Sequence, residues 1–146
     1  MATLTPTLTL ASTDAFASQP FSLSVTDSLT VAAPMTDIST MNTDDDIGNG
    51  AGVIIGEDTN QYYVYVKHTG KLASDGTTAS HATNDFVTLG DVDGTAGLTV
   101  KLQPDEFAFF PTKEGDGSSG SGGDGGVKVT AGSAAVRIEF AYWKRG

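Results

Sequence analysis

The sequence predicts an all-β chain, folded as a single-domain antiparallel β-sandwich or jelly roll with an extended N-terminal arm. Threonine and serine make up roughly one residue in five, and threonine suits a half-buried strand surface better than a helix. Apolar and polar residues alternate through roughly nine or ten short segments separated by turn residues, and no segment keeps a helical period. The 146 residues fit one domain. A two-sheet sandwich is favoured because alternating strands expose one polar face of each sheet.

The N-terminal segment alternates leucine with threonine, which indicates a strand with one buried face. Leu4, Leu8 and Leu10 form its apolar side, and Pro6 lies among them. Because proline cannot donate to a β-ladder, residues 1–13 are predicted to be an edge strand or an extended arm on a neighbouring subunit. The three leucines are therefore candidate interface residues.

The next alternation runs through residues 21–25 and resumes at 29–31, which predicts one bent strand or a hairpin. The polar stretch 36–52 is predicted to be a long surface loop, and residues 53–55 a short strand.

The strongest strand signal is residues 62–67, where every position before Lys67 is aromatic or β-branched. A run that is apolar on both faces predicts a central strand, or one whose second face meets a partner. The polar residues 70–84 that follow are predicted to form a loop.

The C-terminal half contains the remaining strands. They are predicted at residues 86–89, 98–102, 107–111, 127–129 and 136–143. Residues 103–106 are predicted to form a turn, and the low-complexity residues 114–126 a flexible glycine-rich hairpin loop. The strand after that loop is expected to pair back onto the strand that contains Phe107.

The charge is strongly acidic, with a formal net charge of −10. This sign disfavours binding to nucleic acid and to anionic membranes. Residues 1–66 contain eight acids and no Lys or Arg, an asymmetry that fits either head-to-tail attraction between copies or a solvated acidic face. The N-terminus lacks a secretory pattern, and no stretch has the length of an apolar membrane span. We therefore expect neither export through a signal peptide nor a membrane partner.

No residue pattern predicts a catalytic, metal or cofactor site. The chain has no cysteine, which excludes disulfides and thiolate ligands. His68 and His81 lack a nucleophile context and are interpreted as surface or hydrogen-bonded residues. Residues 44–46 and 91–94 suggest calcium ligation but lack the bidentate glutamate of an EF-hand loop. We predict no catalytic residues, no metal and no cofactor.

Two other patterns have alternatives in enzyme chemistry. The adjacent acids at 57–58 and 105–106 could serve a glycosidase, but acids at turns are commonly solvated. The glycine-rich loop lacks the lysine and the following helix that a phosphate site requires.

Two adjacent aromatic pairs, Tyr62 with Tyr63 and Tyr142 with Trp143, lie on predicted strands. Successive strand residues point to opposite faces, so at least one ring of each pair must face away from the core. Most other aromatic residues are expected in the core. Rigid exposed rings anchor protein interfaces, which makes these four residues candidate interface residues.

Three segments resemble small virion structural proteins of tailed bacteriophages. They are residues 63–70, 102–111 and 139–143, within a similarity that spans about residues 60–146. In such proteins one strand ends in a motif of five positions: valine or tyrosine, then lysine, then asparagine or histidine, then threonine, then glycine. A later strand starts with a motif of four positions: proline or glycine, then an acid, then glutamate, then phenylalanine. A terminal aromatic strand follows.

The resemblance implies a capsid decoration, or cement, protein that sits on the head lattice and contacts the major capsid protein. Such proteins are often trimers, which implies a homo-oligomer. The expected location is the capsid surface of a virion, after synthesis in the host cytoplasm, where the absence of cysteine fits a reducing compartment. Two alternatives remain open: a tail, neck or fibre-associated structural protein, and a carbohydrate-binding β-sandwich.

Overall fold

The fold is all-β, as predicted. The computed structural model describes residues 2–13, 20–33, 37–45, 51–56, 59–81, 83–90, 92, 100–112 and 126–146. In these parts of the chain every regular element is a β-strand, and all strand pairs are antiparallel. The strands are β1 (Ala2–Leu4), β2 (Thr7–Ser12), β3 (Phe21–Thr26), β4 (Leu29–Ala33), β5 (Ser39–Asn42), β6 (Val53–Ile55), β7 (Tyr62–Leu72), β8 (Val87–Gly90), β9 (Val100–Leu102), β10 (Phe107–Pro111), β11 (Val127–Ala131) and β12 (Val136–Arg145).

Two sheets pack face to face as a sandwich. The large sheet has six strands in the order β1-β4-β12-β7-β10, with β5 also on β12, and the small sheet has the order β6-β11-β8-β9. Each sheet contributes one apolar face to a common core. The large sheet supplies Met41, Tyr62, Val64, Val66, Val136, Ile138 and Phe140, and the small sheet Ile54, Ile55, Val87, Leu89, Leu102, Val127 and Val129.

Strands β7 and β12 are the centre of the large sheet. They pair along almost their whole lengths, and the other edge of β12 is shared by β5 and β4. On β7 the valines at 64 and 66 point into the core, which sends Tyr63 and Tyr65 to the opposite face. The prediction that residues 62–67 form a central strand is confirmed.

The first four strands form one kinked antiparallel hairpin. The register of β1 on β4 continues without a shift into the register of β2 on β3, and the Asp27 N–H donates to the Pro6 carbonyl oxygen across the kink at 3.1 Å. Strands β1 and β4 join the large sheet, whereas β2 and β3 pair with each other as a separate two-stranded ribbon. We call this ribbon the hairpin arm; its described residues are 7–13 and 20–26.

The sequence predicts an edge strand or an extended arm for residues 1–13: β1 is an edge strand of the large sheet, and β2 belongs to an arm that is two-stranded because β3 pairs with it. Strands β3 and β4 follow each other along one side of the hairpin, as the bent-strand alternative predicted. Pro6 is accommodated at the kink between β1 and β2, where its missing N–H costs no ladder bond within either strand.

Two other predictions on strand pairing need correction. The predicted loop 36–52 contains β5, a polar strand whose Met41 alone is buried and which forms on the edge of β12. Strand β11 pairs with β8 and β6 in the small sheet, not with β10, because Val127 and Val129 complete the core on that side. Most of the predicted glycine-rich loop lies outside the described residues, which resume at Gly126.

The two strand-and-turn motifs of the phage resemblance meet each other in space. His68 donates its backbone N–H to the Glu106 carbonyl at 2.9 Å, and its own carbonyl accepts the Asp105 N–H at 3.0 Å. Residues 103–106 form the predicted turn, closed by the Glu106 N–H on the Gln103 carbonyl. These motifs therefore join β7 to β10 at the end of their ladder.

The His68 side chain is completely buried and ties the two sheets together. Its Nδ1 accepts the backbone N–H of Gly70 at 3.0 Å, so this nitrogen carries no proton. Nε2 must then donate to the Asp85 carbonyl oxygen, 2.6 Å away, just before β8. Gly70 lies in a bulge of β7 with a φ of 71°, a left-handed conformation that glycine adopts without strain.

Candidate interaction surface

Five aromatic side chains lie together on the outer face of the large sheet. They are Tyr63 and Tyr65 on β7, Phe107 and Phe109 on β10, and Trp143 on β12. In this part of all three strands the even-numbered side chains point into the core, and the odd-numbered side chains point to the outer face. Because the three strands are neighbours in the sheet, the rings form one continuous patch, which we call the aromatic face.

The rings contact one another in an ordered arrangement. The Phe109 ring lies nearly parallel to Tyr63, with centroids 6.3 Å apart and planes at 10°, and it reaches across β7 to within 6.4 Å of Trp143. Tyr65 and Phe107 form a second contact at 6.3 Å. Ring pairs at such centroid separations contribute about 0.5 to 1.5 kcal/mol each beyond the area they bury, which favours this arrangement of the rings.

The aromatic face is open to solvent. Phe107 is 61% exposed and Phe109 38% exposed. The guanidinium of Arg145 lies 5.1 Å from the Tyr63 ring centroid, and Lys67 and Glu139 face each other across β7 and β12 below the rings. An apolar centre with a charged rim is the general composition of a protein-binding surface.

Tyr65 has a perturbed hydroxyl. Burial raises the pKa of Tyr65 above its ordinary value of 10.0, and the nearby Glu139 carboxylate raises it further by repelling the phenolate. The hydroxyl therefore stays neutral across the physiological range and remains a hydrogen-bond donor for a partner.

This shift leads to a pH-dependent stability. A raised pKa in the folded state favours the neutral form, so its contribution is complete below pH 10 and is lost as pH rises through the folded value. As pH rises above 10, we expect the free energy of unfolding to fall less steeply in Tyr65→Phe than in the parent chain. Urea denaturation at several pH values between about 8 and 11 measures the two slopes. Glu139→Gln should give an intermediate slope, and identical slopes in all three proteins would contradict the assignment.

The sequence placed four aromatic residues at the interface, and the structure divides them between the two faces. Tyr63 and Trp143 belong to the aromatic face. Tyr62 is 8% exposed and belongs to the core cluster. Tyr142 packs against that cluster, and its ring makes an edge-to-face contact with the Tyr62 ring. Each adjacent pair is split as the alternation requires, so the interface prediction is corrected for Tyr62 and Tyr142.

The three predicted leucines also differ in position. Leu4 is half-buried opposite Leu29 in the large sheet. Leu8 and Leu10 are exposed on the hairpin arm, which is a separate sheet from the one that carries the aromatic face. They remain candidates for contact with a partner, on a surface of their own.

Sequence analysis missed Phe107, Phe109 and Tyr65 as surface residues. Their signal was present, because residues 107–111 place phenylalanine on both faces of a strand, just as residues 62–67 do with tyrosine and valine. Once Phe110 is assigned to the core, Phe107 and Phe109 must face outward.

The polar groups considered for chemistry have structural partners. The His68 ring uses both nitrogens, and the Asp45 carboxylate caps a turn by accepting the Asn42 N–H at 2.8 Å. Among the described residues, no group of three or more His, Asp or Glu side chains is arranged to hold a metal ion. The acids at 46, 57, 58, 91 and 93 lie outside those residues. In the same part of the chain, no helix has the length and apolar character needed to cross a bilayer.

No family model, curated protein or solved structure matches this chain.

Proposed function

We propose that this chain is a non-enzymatic virion structural protein, a decoration protein that binds the outer surface of a tailed-phage head and stabilises the shell. The aromatic face carries this proposal. Exposed apolar patches with ordered rings and a charged rim are characteristic of protein-binding surfaces. The resemblance of residues 60–146 to phage virion proteins supports the major capsid protein as the partner.

Charge supports an exterior position. At a net charge of −10 the chain would be repelled by packaged nucleic acid, so the outside of a shell suits it better than the inside. The rim of the aromatic face carries the cations Lys67 and Arg145, which allow this one surface to approach an acidic or neutral patch of capsid protein. Binding there adds interface area only to the assembled shell and raises its stability by linkage.

Rebinding to stripped capsids tests the proposal. We expect the purified chain to rebind at a fixed ratio and to raise the melting temperature of the shell. Phe107→Ser should weaken rebinding about tenfold or more, because truncating an interface hot spot commonly costs over 1.4 kcal/mol. Binding is measured by co-sedimentation, and shell melting by calorimetry.

A matched control separates the aromatic face from general surface effects. Val25→Ser also replaces an exposed apolar side chain, 50% exposed on the hairpin arm and outside the large sheet, and should leave rebinding to stripped capsids unchanged. Equal weakening by both substitutions, or binding to tail tubes and not to heads, would contradict the assignment. The second result would favour the tail or neck alternative.

One observation favours a second candidate function, carbohydrate binding. The near-parallel rings of Tyr63 and Phe109, next to Trp143, form a platform on which a sugar ring could stack. A glycan array with the parent chain and Trp143→Ala distinguishes the candidates. Glycan binding that disappears in Trp143→Ala would replace the capsid assignment, whereas an array without signal is the expected result.

A further inference from the structure

The hairpin arm has an apolar face that the described part of the chain leaves uncovered. Leu8 lies opposite Val25, and Leu10 opposite Leu23, so the four side chains share one face of the ribbon. Each of them is between 39% and 50% exposed. Single exposed aliphatic residues are ordinary, but two adjacent cross-strand pairs on one face form a patch.

The opposite face of the arm is polar and internally satisfied. The hydroxyls of Thr7 and Thr26 are 3.0 Å apart, and those of Thr9 and Ser24 are 3.4 Å apart. These two cross-strand contacts pair four of the hydroxyls on this face with one another. An isolated two-stranded ribbon is only marginally stable in water, and it needs a third strand or a second layer over its apolar face.

Charge identifies what covers that face. The described residues of the arm, 7–13 and 20–26, contain no charged side chain, although the whole chain has a net charge of −10. At a net charge of −10 two copies repel each other overall, and a contact through their uncharged arms keeps the acidic sandwiches far apart. The four aliphatic side chains also offer no hydrogen-bonding group to a polar partner, but they are complementary to an identical aliphatic face.

We propose that two copies of this chain associate by packing the apolar faces of their hairpin arms against each other about a twofold axis. Leu8 and Leu10 of one copy then lie against Leu23 and Val25 of the other, as two sheet layers about 10 Å apart. Four side chains cover less than the roughly 800 Å² per partner of a standard interface, so the dimer is weak and forms where copies are concentrated. This contact is independent of the aromatic face and of its partner.

Analytical ultracentrifugation of the full chain from about 5 to 500 μM tests the dimer. The matched variants are Leu23→Lys on the apolar face and Ser22→Lys on the hydroxyl face. They are neighbours on β3 and add the same charge, but only Leu23→Lys introduces a cation into the contact. We expect the parent chain and Ser22→Lys to dimerise equally, and Leu23→Lys to raise the dissociation constant at least tenfold.

Crosslinking provides a second measurement. Because the chain has no cysteine, an introduced cysteine reports only its own contact. Mild oxidation of Leu10→Cys chains mixed with Leu23→Cys chains should give a covalent mixed dimer, at concentrations where Ala11→Cys chains mixed with Ser22→Cys chains, on the hydroxyl face, give none. A parent chain that stays monomeric throughout, a trimer, or equal weakening by both lysine variants would overturn the inference. A dimer lost in Phe107→Ser but kept in Leu23→Lys would also overturn it, by placing the contact at the aromatic face. Capsid rebinding plays no part in either measurement, so this inference and the proposed function can fail separately.

Discussion

Gly52→Ala is expected to lower the free energy of unfolding by about 4 kcal/mol or more, a large part of the roughly 5 to 15 kcal/mol by which a domain is ordinarily stable. Gly52 has a φ of 73°, and a Cβ there would lie 2.1 Å from the Val129 carbonyl oxygen. The left-handed conformation alone costs an alanine about 1 to 2 kcal/mol. The clash is with backbone, so it can be relieved only by moving Gly52 and β11 apart.

That movement breaks hydrogen bonds at the edge of the small sheet. Gly52 donates its N–H to the Asp45 carbonyl at 3.1 Å and accepts the Val129 N–H at 2.8 Å. Each buried bond lost costs roughly 1 kcal/mol or more. Urea denaturation measures the change, with Gly90→Ala as the matched control, because a Cβ at Gly90 meets nothing within 4 Å. We expect Gly90→Ala to be neutral or slightly stabilising, and an equal effect of the two substitutions would refute this account.

His68→Leu is expected to lower the free energy of unfolding by about 3 to 5 kcal/mol. Leucine fills a similar volume but leaves the Gly70 N–H and the Asp85 carbonyl buried without their partner. Each unsatisfied buried group costs about 1 to 3 kcal/mol, and the tie between the sheets is lost with them.

Two further substitutions divide the effect at His68. Asparagine can place an acceptor where Nδ1 lies, and glutamine a donor where Nε2 lies, so each retains one of the two bonds. We expect His68→Asn and His68→Gln to lose less stability than His68→Leu in chemical denaturation. If all three proteins unfolded at the same denaturant concentration as the parent chain, the hydrogen-bonded histidine would have no role in stability.

The fold class could be predicted from the sequence because burial repeats with period two along its strongest strands. The valines at 64 and 66 and the even residues of β12 define the core side without knowledge of any partner strand. The same alternation assigns Tyr63 and Trp143 to the outer face. Two of the five residues of the aromatic face could therefore be predicted from the sequence.

Strand pairing could not be predicted in the same way, because it depends on residues distant in the sequence. Strand β5 has only Met41 as a core residue, and it is a strand because β12 offers a free edge beside it. The partner of β11 is determined by which sheet lacks apolar residues, a property of the assembled core. The grouping of Phe107 and Phe109 with Tyr63 depends in turn on the pairing of β10 with β7.

The position of β12 has a consequence for how the protein is made. Its partners β4, β5 and β7 all precede it, so the large sheet cannot close until residues 136–145 have left the ribosome. Until then the nascent chain presents unpaired strand edges, including the valine- and tyrosine-rich β7, which are the usual sites of aggregation. Such long-range pairings also slow folding. Chaperones that cover these edges during synthesis should therefore raise the yield of folded protein.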